Sequence, residues 1–153
     1  MRLILRHDYE HEDLGRMAKH VVAAVGDIPP GTRKLAQVNG RAIVVFNLGG
    51  EFFALNDRCP HRGGSLSRGK QTGLVESDGP GRYCYSRPGE IIRCPWHGWE
   101  FDIRTGQSWC DPQSVRARQF QVTVEPGETL LKGPYVAERF PVSVEEDYLV
   151  VEL

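Results

Sequence analysis

The sequence predicts an all-β protein, antiparallel sheets packed as a sandwich, on three observations. Stretches rich in β-branched and aromatic residues are short and are separated by glycine, proline and asparagine turn signals. Asn39-Gly40 joins two such stretches at two-residue hairpin spacing. Apolar and polar residues alternate in 117–125 and again in 137–145. The 153 residues suit one domain around a single core. The composition, 25% charged with a net charge of -1, lacks the basic excess that bulk nucleic-acid binding needs. The opening Met1-Arg2-Leu3-Ile4-Leu5-Arg6 is too short an apolar run for a signal peptide, and no stretch approaches membrane-spanning length. The expectation is a cytoplasmic protein with no membrane and no nucleic-acid partner.

Residues 1–16 are polar and mixed in charge, which predicts a poorly ordered extension. His7 and His11 read there as exposed polar residues rather than a metal pair, and Met17 is a candidate initiator. A single domain then spans 17–153, with His20 expected at the surface. Val21 to Val25 reads as a strand leading to the turn Pro29-Pro30-Gly31. Lys34 to Val38 and Ala42 to Asn47 flank the Asn39-Gly40 hairpin, and Gly49-Gly50 turns the chain into Glu51 to Leu55. That strand feeds the loop Asn56 to Gly69, where Gly63 and Gly64 permit positive φ and close backbone approach, so that amides can point at a bound anion or thiolate. Ile91 to Arg93 enters a second loop, and Trp99 to Asp102 leaves it before the turn Arg104-Thr105-Gly106. Ala117 to Glu125 echoes Ala137 to Glu145 at a spacing of 20, and both read as half-buried edge strands, with Tyr148 to Leu153 pairing as the last.

The chemistry sits in the two loops. Cys59-Pro60-His61 and Cys94-Pro95-Trp96-His97-Gly98 each offer one thiolate and one imidazole. Zinc accepts two sulfurs and two nitrogens, but finger spacing pairs Cys with Cys and His with His along the chain. Here each stretch mixes them, which suits a [2Fe-2S] cluster with both thiolates on one iron and both imidazoles on the other. Two ferric irons, two sulfides and two thiolates sum formally to about zero, against about -2 with four thiolates, so an electron enters more easily. A structural zinc module, or four unrelated buried residues, are the alternatives.

Cys-x-His followed by Cys-x2-His-Gly resembles the Rieske family. The resemblance covers about residues 17–153, with its specific motifs in 57–69 and 91–106. It implies a Rieske-like antiparallel β-sandwich with a cluster-binding tip formed by two loops, within a subdomain of about 57–106. One [2Fe-2S] cluster per chain would be held by Cys59 and Cys94 on the inner iron and by His61 and His97, as neutral imidazoles, on the outer one. The 32 residues between His61 and Cys94 exceed what a small Rieske ferredoxin needs. About 75–90 therefore reads as an inserted β-excursion beside the cluster, either a tolerated surface loop or a flap that contacts a partner or shields the cluster. The piece from Pro126 to Glu138 is a second departure.

The resemblance also points to a branch. Quinol-oxidising members carry loop cysteines where Gly64 and Trp96 stand here, and a serine and a tyrosine where Trp99 and Phe101 stand. Without those hydroxyl donors the reduced cluster is less stabilised, toward the negative end of the Rieske range, roughly -150 mV. Trp96, Trp99 and Trp109 are expected to cover apolar surface rather than relay electrons. No histidine follows His97, so the two-His-one-carboxylate iron of a complete Rieske oxygenase has no counterpart, and no catalytic site is expected. The expected function is a one-electron carrier, a ferredoxin or small redox subunit serving a separate oxygenase or reductase; a cluster-bearing sensor is the alternative. Cys84 and Cys110 are expected as free thiols. Arg58, Arg62, Arg68 and Lys70 put positive charge around the first loop, whereas Glu125 to Leu153 is acidic, which predicts a partner with an acidic face.

Overall fold

The computed structural model describes residues 18–131, 143 and 145–153. The N-terminal extension with His7, His11 and Met17, and the second copy of the repeat apart from Ser143 and Glu145, lie outside the described residues. Among the described residues ten strands form three antiparallel sheets. The central one has the order β2-β3-β4-β8: β2 (Arg33–Val38), β3 (Arg41–Leu48), β4 (Glu51–Asn56) and β8 (Gln119–Phe120). A second sheet joins β1 (Lys19–Ala24), β10 (Asp147–Glu152) and β9 (Val122–Pro126), with β10 in the middle. The third is a meander of β5 (Lys70–Gly79), β6 (Arg82–Arg93) and β7 (Glu100–Asp102).

The run Ala42 to Leu48 is apolar almost throughout because β3 is buried on both faces. Ile43 and Val45 pack with Val22, Leu149 and Val151 of the β1-β10-β9 sheet. Val44, Phe46 and Leu48 alternate to the other face and meet Ile92, Phe101 and Ile103 of the meander, together with Cys59 and Cys94. Successive side chains of a strand point to opposite faces, so one strand serves two cores. The architecture is thus a sandwich with a further layer. A short helix, α1 (Gly127–Leu131), sets Leu130 against Val21, Tyr148 and Val150 on the outer face of the β1-β10-β9 sheet.

Most elements match the sequence reading. The β2-β3 hairpin turns at Asn39 and Gly40, both at positive φ (49° and 75°), as a two-residue turn requires. Three expectations are corrected. The stretch 117–125 is two strands rather than one: the chain breaks at Gln121, β8 pairs with β4 and β9 with β10, so the alternating pattern crosses from one sheet edge to another. His20 is buried rather than at the surface, because β1 is covered on both faces, and its Nε2 lies 3.5 Å from Asn39 Nδ2. The 75–90 excursion is β-structure, as read, but its ladder leads away from the ligand loops instead of lying beside them. It extends the β5-β6 ladder, which begins at Lys70↔Arg93 next to Cys94 and runs away from it to Gly79↔Arg82.

A bulge at Arg87–Glu90 opposite Gly73 separates the inner from the outer half of that hairpin. Arg87 takes φ 50° there. Its guanidinium is held by Glu90 (2.6 Å) and by the buried carboxylate of Asp102 (2.7 Å), while Arg104 joins Glu90 to Glu51 on the β3-β4 turn. These charges tie the root of the excursion to the central sheet.

Burial lowers the His20 pKa below its ordinary value of 6.5. The unfolded chain then binds more protons than the native one as pH falls through 6.5, so stability is lost in that direction and is recovered above it. His20→Leu should flatten this part of the profile. Urea midpoints of the two proteins, measured from neutral to mildly acidic pH, should diverge below 6.5, the wild type losing more.

Candidate metal centre

The first loop leaves β4 at Asp57, which is buried and organises the return of the chain. Its carboxylate accepts from Ser65 Oγ and from the Ser67 amide, both at 2.6 Å, and its carbonyl accepts from the Leu66 amide at 2.7 Å. Arg33 of β2 adds a brace by donating to the carbonyls of Ser67 and Gly69 and to Gln71 Oε1. The second loop joins β6 to β7. Asp102, at its far end, accepts from the Arg104 amide and fixes the following turn.

The two loops close in the same way. Cys59 O accepts from Gly63 N (2.8 Å) and Cys59 N donates to Gly64 O (2.8 Å); Cys94 O accepts from Gly98 N (3.1 Å) and Cys94 N donates to Trp99 O (2.7 Å). Each is a six-residue turn, and each has a glycine at positive φ in its fifth position, 89° at Gly63 and 73° at Gly98. His61 occupies the third position of the first turn and His97 the fourth of the second, which is why the spacings read Cys-x-His and Cys-x2-His. Gly64 is not at positive φ; of the two roles the sequence allows for these glycines it fills the close approach. It is needed for closeness, since a Cβ there would lie 2.6 Å from Cys94 Sγ and 3.1 Å from Trp96 Cβ.

The structure sets the two predicted thiols beside each other and the two predicted imidazoles beside each other, at different depths. Cys59 and Cys94 are both 2% exposed and belong to the apolar cluster between the central sheet and the meander. His61 is half-buried and His97 exposed, with ring centroids 5.0 Å apart and planes at 87°. Thiols lie inside and imidazoles outside, the ordering that a group binding two thiolates on one iron and two imidazoles on the other would need. His61 Nδ1 is buried without a hydrogen-bond partner, and a buried orphan nitrogen is costly unless something coordinates it. These features fit a [2Fe-2S] group.

Burial pushes the Cys59 thiol up; the His61 amide pointing at its sulfur opposes this, and neighbouring Cys94 adds to it. Partial burial, then the charges of His97 and Arg62, push His61 down, which favours the neutral ring a metal needs.

The tryptophans divide. Trp99 packs on the core cluster and stacks on His61 at 4.4 Å, so it covers apolar surface as expected. Trp96 does not: it is 61% exposed, stacked on His97 at 4.9 Å. Arg58, Arg62, Arg68 and Lys70 are all exposed around the first loop, and Cys84 and Cys110 are exposed free thiols. Sequence reasoning missed Asp57, Asp102 and Arg33. The two aspartates stand beside turns, where their carboxylates hydrogen-bond nearby amides, a signal present in the sequence; Arg33 acts across 34 residues or more and leaves no local signal.

The family profile of the Rieske [2Fe-2S] domain matches residues 18–121. Ferredoxin CarAc of Metapseudomonas resinovorans is 32% identical over 113 residues, covering 73% of this chain and 91% of that protein. The 3-phenylpropionate/cinnamic acid dioxygenase ferredoxin subunit of Escherichia coli is 33% identical over 110 residues, covering 72% and 89%. Among solved structures, a chain in the complex of reduced oxygenase and oxidised ferredoxin of carbazole 1,9a-dioxygenase superposes with a TM-score of 0.54 at 25% identity, covering 87% of this chain and 93% of that one.

Gly64→Ala would force the two turns apart. An expected loss of about 1–3 kcal/mol follows from overpacking at a rigid contact, measurable as a lower urea midpoint with an unchanged slope.

Proposed function

Because the chain belongs to the Rieske [2Fe-2S] domain family, we propose that it is a one-electron carrier, a low-potential Rieske ferredoxin or small redox subunit that serves a separate terminal oxygenase and its reductase. The observation that carries the proposal is the depth ordering at the tip: two thiols buried in the core beneath two imidazoles at the surface. One cluster per chain would be held by Cys59 and Cys94 through their thiolates and by His61 and His97 through their imidazoles. When bound, the cluster supplies a one-electron couple. The chain's own groups do the rest. The amide of His61, aimed at Cys59, favours the thiolate; Trp99 shields His61 from water; His97, at the surface, is the port by which an electron leaves or enters.

Several features support this reading. The relatives named above are ferredoxin subunits of oxygenase systems, and a structural neighbour is a complex of an oxygenase with a ferredoxin. Phe101 is fully buried in the cluster that holds both thiols and carries no hydroxyl to donate to sulfur, in keeping with a low potential. The chain is read as a component without a catalytic site of its own. Exposed free thiols at Cys84 and Cys110 favour a reducing compartment, the cytoplasm; among the described residues no helix is long and apolar enough to cross a membrane.

The deciding experiment is metal analysis of the purified protein with its visible spectrum. Two irons per chain and a coloured protein are expected; one zinc and no colour would sink the proposal. The exposed cations around His61 generate a second expectation. A partner with an acidic face is drawn to them, so raising ionic strength should slow second-order electron transfer to the cognate partner. Arg62→Glu should lower that rate with the potential nearly unchanged. Stopped-flow measurement across a salt series reads this out, and a rate indifferent to salt and to the reversal would move the docking surface away from the first loop.

A further inference from the structure

Lys70 and Arg93 stand directly opposite each other in the β5-β6 ladder, and Arg93 stands opposite Glu100 in the β6-β7 ladder. Like charges directly opposed in a ladder are destabilising. Glu100 offsets one of them, its Oε1 accepting from Arg93 Nε at 2.9 Å and from Nη2 at 2.5 Å. Lys70 is exposed and has no ion pair among the described residues. One row across the sheet thus carries two cations and one carboxylate, and a second carboxylate from outside would complete it.

The row forms one end of a concavity of about 410 Å³ whose other end is Val75 and Tyr85. These two pair across the ladder and are 62% and 60% exposed. Gly73 lies between the ends and keeps the floor open, because an added Cβ there would come within 2.6 Å of the Tyr85 ring and 2.7 Å of the Ser86 carbonyl. The furrow is cationic at one end and apolar at the other, and five residues of β5 set the ends at most about 16 Å apart.

We propose that this furrow receives the terminal oxygenase, the electron acceptor in the function proposed above, through a surface carboxylate laid against Lys70 and an apolar side chain laid on Val75 and Tyr85. The inference rests on that function and adds to it a second part of the docking footprint. Charge selects the chemistry, since an uncompensated pair of opposed cations takes an anion. Position selects the owner. Lys70 is where the chain leaves the first ligand loop, and Arg93 directly precedes Cys94, so the row borders the surface that an acceptor must cover to reach the imidazoles. The cations around the loop steer the encounter, and the hairpin adds apolar affinity once it has occurred.

Two variants of the iron-loaded chain, measured against the terminal oxygenase that the wild type reduces, test this. Lys70→Glu places a carboxylate opposite Arg93, so its urea midpoint should equal or exceed that of the wild type. Its second-order rate in stopped flow should nevertheless fall about threefold to tenfold at low salt, the gap closing at high salt. Val75→Ser changes no charge, so it should raise the calorimetric Kd for that oxygenase about threefold at every ionic strength. Both should keep the visible spectrum and the reduction potential of the wild type, which separates lost docking from damage to the tip. An unchanged rate in Lys70→Glu overturns the proposal. So does an unchanged Kd in Val75→Ser, because a Lys70 effect alone is long-range steering. Self-association of the chain that Lys70→Glu abolishes would seat another copy in the furrow and also overturn it. The two levels fail differently: a wild type that holds iron but reduces no oxygenase removes the carrier function and the furrow together, whereas normal wild-type transfer with unimpaired variants removes the furrow alone.

Discussion

The rest of the tip depends on the burial of two thiols in a core that is otherwise hydrocarbon. Cys59 and Cys94 share one apolar cluster with Val44, Phe46, Ile92 and Phe101, so the loops that carry them cannot drift outward without opening that core. Each turn satisfies its own cysteine amide and carbonyl within six residues, which lets the backbone sit close to the core without leaving polar groups unpaired. The imidazoles, two or three residues farther along, are thereby carried to the surface. Depth, not sequence distance, separates the two kinds of donor.

The scaffold behind the tip shows how that depth is maintained. The central sheet is covered on both faces, and β3 sends alternate side chains to two separate cores. One face supports the thiols; the other is closed by β1 and β10. Two buried carboxylates stiffen the connections: Asp57 braces the return of the first loop, and Asp102, paired with Arg87, braces the exit of the second and the root of the long hairpin. Breaking one partner of such a buried pair leaves an uncompensated charge, so these contacts constrain geometry more than they add net stability.

Charge is distributed unevenly over the described residues. Exposed cations gather around the first loop, whereas the β9-β10 end, on the far side of the central sheet, includes Glu125, Glu145, Glu146 and Asp147. A carrier polarised in this way has its cations at the imidazole end. Trp96 is an exposed ring stacked on His97 at that same end.

What the sequence determined by itself was local. The Asn39-Gly40 turn, the apolar run of β3 and the mixed Cys and His stretches each follow from chemistry within a few residues, and they were enough to identify the fold class, the strands from β1 to β4 and the four candidate ligands. What only the tertiary structure decided was pairing and depth. Alternation across 117–125 looks like one strand because each half is a good strand, yet the break at Gln121 depends on which neighbour, β4 or β10, offers an open edge. His20 looks polar and exposed because it stands at the polar start of β1, although the run Val21 to Ala24 that follows is apolar throughout and signals burial on both faces. The identity of the two turns was hidden by unequal Cys-to-His spacing and emerges only from their hydrogen bonds. Arg33 and Gln71 meet across 38 residues, and a contact of that span is set by how the sheets stack, which no short stretch of the chain encodes.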